Sequence, residues 1–188
     1  MAIFPAFRRR RPVDDYFGRI RRRCDQLIEE LQITTPFRVD TLIDSAGRAR
    51  GRPIVPIPIA LPPAGPTGVL VTTADRHYIF FQKNTSRIHR ENIILHELGH
   101  LLCDHRGMND LNHGRSLSLF PDLDPAMVIT MLGRAAYSDE QEREAEFIAS
   151  VLHTKTAAWS PDSTWAVPSD VADVIERIER VFGTDRTL

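Results

Sequence analysis

The sequence predicts an α+β fold: a single, mainly helical domain with a small antiparallel sheet or hairpin packed beside the helix that carries His96-Glu97-Leu98-Gly99-His100. Three observations carry this expectation. Apolar residues recur at helical spacing in several segments. Two β-rich runs, 69–73 and 78–82, flank a short turn at Ala74-Asp75-Arg76, which is a hairpin signal. The length, 188 residues, suits one domain able to bury a core.

Residues 1–12 read as a basic N-terminal tail and 13–188 as one domain, with its core over 13–153 and a C-terminal connector and helix over 154–188. Asp14 caps a first helix reaching about Gln32. Phe17, Ile20, Cys24, Leu27, Ile28 and Leu31 share one face of it, and Arg and Glu residues take the other. The stretch "TTPF" breaks it. A shorter helix starts near Asp40 and ends around 47–51. Residues 53–66 are too rich in proline for a regular helix and read as an extended crossing segment or an edge strand. After the hairpin, Thr85 or Ser86 offers an N-cap for a helix over about 87–105. Residues 107–122 read as a loop. Asp124-Pro125 is a cap followed by proline at the first helical position, which predicts a helix to about Ala136. Ser138 with Gln141 forms a capping box for a helix to about His153. Ser169 caps a last amphipathic helix carrying Val171, Val174, Ile175, Ile178, Val181 and Phe182.

Composition excludes several classes. The net charge is −1, so no polyanion partner is implied globally. Two arginine runs, 8–11 and 21–23, read as a solvated tail and helix face, and no DNA- or RNA-binding module accompanies them. No apolar run is long enough to span a bilayer, and the N-terminus lacks the pattern of a secretory signal. Two cysteines, Cys24 and Cys103, are too few for a disulfide framework. A reducing cytoplasm is the expected compartment.

The chemistry lies in the motif. Residues four apart on a helix share a face, so His96 and His100 can turn two imidazoles to one ion. Glu97 sits about 100° round the helix, where it can act as base toward a water at the metal without ligating. Ile93, Leu95, Leu98, Leu101 and Leu102 bury the other faces. Gly99 is costly inside a helix, and a close contact there would explain it. Together these predict a zincin-like site with one Zn2+.

Such a catalytic zinc needs a third protein ligand. His105, nine residues after His96, falls on the opposite side of a continuous helix. Arg106 occupies the position where an elongated three-histidine motif needs its third histidine. Cys103 falls on the histidine face, with a core cysteine as its plainer reading. The acidic helix supplies better candidates. The helical wheel puts Glu142 beside Ala145 and Ala149, whose small size lets two helices approach closely. Glu144 lies between Ile148 and Val151, on the bulkier side, and is the weaker alternative. Glu146, one turn after Glu142, is placed to orient a ligand histidine.

These residues resemble the ImmA/IrrE family of zinc metallopeptidases. That family pairs a "HELGH"-type motif after a short strand with a downstream E-x-x-A-(D/N)-x-x-A helix. Here the two read His96-Glu97-Leu98-Gly99-His100 and Glu142-Arg143-Glu144-Ala145-Glu146-Phe147-Ile148-Ala149. The resemblance spans about 13–153 and implies His96, His100 and Glu142 as zinc ligands and Glu97 as base. Glu146 stands where the family often has Asp or Asn, and "VLHTKTAAW" replaces its usual "LLMP". The family's typical activity is cytoplasmic cleavage of helix-turn-helix repressors, often encoded nearby, and some members are toxin–antitoxin components. The expected function is therefore a zinc-dependent endopeptidase acting on a helix-turn-helix or antitoxin-like regulator. The second reading is a non-catalytic, zinc-containing regulator acting by protein binding, and Glu97 argues against it. Strand 78–82 is the expected edge for an added substrate strand. Tyr137, His113 and His153 are equal candidates for oxyanion support. No membrane and no nucleic acid partner are expected, and no oligomeric state is implied.

Overall fold

The structure is a computed structural model that describes residues 12–61, 65–105, 128–132 and 137–157, together with Trp165, Ala172, Ile175 and Glu176. The elements run α1 (Pro12–Glu30), α2 (Val39–Ala49), β1 (Ile54–Ile59), β2 (Gly68–Thr73), β3 (His77–Gln82), α3 (Arg87–Leu102), β4 (Val128–Leu132) and α4 (Asp139–His153). The α+β class holds. The basic tail, the loop over 107–122, His113 and most of the last predicted helix lie outside the described residues.

The strands form one mixed sheet in the order β1-β3-β2-β4. The predicted hairpin is present, with Val69 opposite Phe80 and Val71 opposite Tyr78. The sheet is not purely antiparallel, because the proline-rich segment adds to it as β1, parallel to β3. The carbonyls of Pro53 and Ile59 accept from His77 and Lys83 on either flank of β3. With a period of two, the odd-numbered residues of β1 carry the ladder. Pro56 and Pro58 turn their nitrogens away from β3, to a side where no strand pairs among the described residues, so a missing N–H breaks no ladder bond.

One prediction fails. Within the helix expected over 124–136, residues Val128–Leu132 form a strand paired with β2. The β-branched Val128, Ile129 and Thr130 suit a strand, and the otherwise open edge of β2 takes them. The Asp124-Pro125 start signal lies outside the described residues.

Both faces of the sheet are apolar. Leu70, Ile79 and Phe81 join the main core with Ile20 and Cys24 of α1, Leu42 and Ile43 of α2, and the buried faces of α3 and α4. Val69, Val71, Tyr78 and Phe80 form a second cluster on the other face, against which Ile175 packs. Among the described residues, no helix is long and apolar enough to cross a membrane.

Candidate metal centre

α3 begins at Ser86, whose side chain accepts from the backbone N–H of His89. α4 begins at Ser138 with the capping box that the sequence predicts. The box places Glu142 in the first turn of α4, where the helix dipole favours a carboxylate. The two helices cross at Gly99. A Cβ on residue 99 would lie 3.2 Å from the Ala145 carbonyl oxygen and 3.3 Å from the Ala145 Cα. The mid-helix glycine and the small residues of α4 are thus one feature, the close approach that brings Glu142 across to α3.

At this crossing three ligand atoms converge. Nε2 of His96 and Nε2 of His100 are 3.1 Å apart. Oε2 of Glu142 is 3.2 Å from the first and 3.8 Å from the second. Donor atoms around a tetrahedral zinc, each at ~2.0–2.1 Å, stand roughly 3.3 Å from one another. The observed separations bracket that spacing, and two imidazoles with one carboxylate are a donor set zinc accepts. This group can therefore hold a metal ion. His100 is almost wholly buried, which pushes its pKa down to about 2, helped by the neighbouring His96 and His105. It stays neutral and keeps a lone pair.

Glu97 is buried and lines the same cleft, which has a volume of about 330 Å3. It packs against Gly68 at the start of β2. A Cβ on residue 68 would lie 2.7 Å from Oε1 of Glu97 and 2.6 Å from Cγ2 of Ile93. Sequence reasoning missed Gly68; its only trace is a glycine opening a β-rich run. Of the three oxyanion candidates, the structure brings Tyr137 to the cleft. Its ring stacks on His100 with centroids 3.6 Å apart. His153 lines a neighbouring groove instead.

Three expectations about the surroundings are corrected. His105 is not on the far side of α3, because the helix ends before it. Asp104 takes a left-handed conformation at φ 52°. The His105 N–H then donates to the His100 carbonyl and the Asp104 N–H to that of Leu101, which is a Schellman stop. The turn lays His105 against His100, with their Nδ1 atoms 3.0 Å apart. Glu144 accompanies His105, with Oε2 3.3 Å from its Nε2. Glu146 is exposed and lines the cleft rim. Cys103 also turns from the histidine face to Glu144, at 3.9 Å, and burial with that carboxylate lifts its thiol to about 11. Finally, β3 is no edge: β1 and β2 occupy its two sides, and among the described residues β1 and β4 are the outer strands.

Compared with known protein families, characterised proteins and solved structures, the chain shows no significant match.

Proposed function

We propose that the protein is a zinc-dependent endopeptidase of the ImmA/IrrE kind, acting on a cytoplasmic protein such as a helix-turn-helix or antitoxin-like regulator encoded nearby. The observation that carries this reading is the meeting of His96, His100 and Glu142 within 3.1–3.8 Å, on a cleft that also holds Glu97. A zinc ion held by the three supplies Lewis-acid polarisation of a peptide carbonyl and of a water. The chain's own residues supply the rest. The carboxylate of Glu97 takes a proton from the attacking water and delivers it to the departing amine nitrogen. Tyr137, flat against His100, keeps that ring in place from the cleft side. A strand-like substrate has β4, not β3, as the sheet edge nearest in sequence to Tyr137. A structural zinc has no use for a buried base beside it, which disfavours a purely binding role.

The test is zinc content per chain, followed by incubation of wild type and Glu97→Gln with the neighbouring regulator. Wild type is expected to carry one zinc and cleave. Glu97→Gln is expected to keep the zinc and lose activity by at least 100-fold. Zinc uptake with equal binding and no cleavage by either protein would favour the non-catalytic regulator.

A further inference from the structure

Behind His100 lies a line of polar side chains that the proposed reaction does not use. We infer that His105 and Glu144 form a positioning relay for His100, fixing which of its nitrogens carries the proton and how its ring is held. This rests on the zinc reading of His96, His100 and Glu142 and extends it one layer outward.

The argument is a count of protons. A neutral imidazole has one N–H and one lone pair. His100 turns Nε2 toward His96 and Glu142, and Nδ1 toward His105. With the Nε2 lone pair committed to the metal, the proton of His100 sits on Nδ1 and is donated to Nδ1 of His105, 3.0 Å away. The proton of His105 then sits on Nε2 and is donated to Oε2 of Glu144 at 3.3 Å. Each ring has one assignment, and the assignments agree along the whole line. The His105 side chain is only 6% exposed, so water competes little for these bonds. A carboxylate behind a ligand histidine raises its basicity and fixes its tautomer. Here the carboxylate acts through a second imidazole.

A rival use of the same residues is a second metal centre. Ligand atoms of Cys103, His105 and Glu144 also lie within 4.8 Å of one another. The proton count decides against it. A second ion on Nε2 of His105 would move that ring's proton to Nδ1, facing the N–H already on Nδ1 of His100 across 3.0 Å. The neutral rings cannot serve both centres at once. The centre with Glu97 beside it takes the metal, and Glu144 takes the end of the relay.

Chelator-competition titration of zinc tests this, with a cobalt-loaded visible spectrum as a second readout. His105→Phe keeps the ring volume but removes both nitrogens, and is expected to weaken zinc binding 10–100-fold and shift the cobalt bands. Glu144→Ala is expected to weaken binding within the same range. The double variant is expected to lose no more than the worse single one, since the two act in series. Glu144→Gln, which still offers an acceptor oxygen, and His105→Gln are each expected to recover part of the loss. Circular dichroism of the metal-free proteins separates these effects from misfolding, and the Gln variants carry the test if His105→Phe does not fold. Cys103→Ser is expected to leave metal count and affinity unchanged. Wild-type zinc affinity in folded His105 and Glu144 variants overturns the relay while leaving the zinc centre intact. Two zinc ions per wild-type chain, one of them lost in Cys103→Ser, overturn it in favour of the second centre. A wild type that takes up no zinc removes the centre itself and the relay with it.

Discussion

Gly68 has no side chain, and Glu97 occupies the space one would fill. A methyl group at residue 68 would meet Oε1 of Glu97 and Cγ2 of Ile93 at 2.7 and 2.6 Å, and the far end of the Glu97 side chain is the more flexible of the two. Gly68→Ala is therefore expected to fold and to bind zinc, but to hold its base out of line. Misplacement of this kind costs roughly 10–100-fold in rate. Turnover and zinc content measured on one preparation check this, and unchanged turnover removes Gly68 from the site. At this scale the sequence was most legible where one helix relates the residues, and Glu142, on another helix, was legible through the small Ala145 and Ala149 beside it. His96, Glu97 and His100 follow from 3.6 residues per turn. Gly68 depends on β2 lying beside α3, and His105 depends on one residue, Asp104, taking a left-handed turn. Nothing local requires either. An aspartate tolerates that conformation better than most side chains, but it does not announce it as a glycine does.

Among the elements, the crossing of α3 and α4 matters most to the site. It brings the backbones close at Gly99 and Ala145, and the ligands of the two helices meet beside it. Gly99→Val is expected to cost about 1–3 kcal/mol of stability through overpacking and to weaken zinc binding by separating Glu142 from the histidines. Chemical denaturation with a zinc titration measures both, and loss of stability with unaltered zinc affinity argues against the crossing as the setter of ligand spacing. Just beyond the crossing, the C-terminal end of α3 is held as well. Arg50, at the end of α2, pairs with Asp104 at 2.7 Å and donates to the Leu102 carbonyl. The turn that places His105 is thus pinned by a long-range contact. Helices, caps and hairpin were readable because their signals lie within a few residues of one another. The parallel pairing of β1 and the strand β4 were not, because each is decided by a partner distant in sequence. For β4, pairing with β2 prevails over the helical reading of 128–132.

For the molecule as a whole, the two halves of the candidate site sit far apart along the chain. The histidines lie on α3, which ends at Leu102, and the carboxylate lies on α4, which begins at Asp139. A metal ion joining them acts as a removable cross-link that closes the intervening length of chain. Its binding free energy then becomes folding free energy. At free zinc 100-fold above Kd the gain is about 2.7 kcal/mol. For a chain of this size that corresponds to a rise of roughly 5–10 °C in Tm. Thermal scans with zinc and with a chelator are expected to differ by that amount, and coincident scans would show that the ion does not bridge the helices. On the zinc reading, the same arrangement would link metal supply to the lifetime of the protein. With zinc scarce, the crossing of α3 and α4 would rest on its packing at Gly99 and Ala145 alone, without the cross-link between their ligands. On the zinc reading, a copy without metal is expected to be the one that proteases remove first, so the amount of the protein would follow the amount of metal supplied to it.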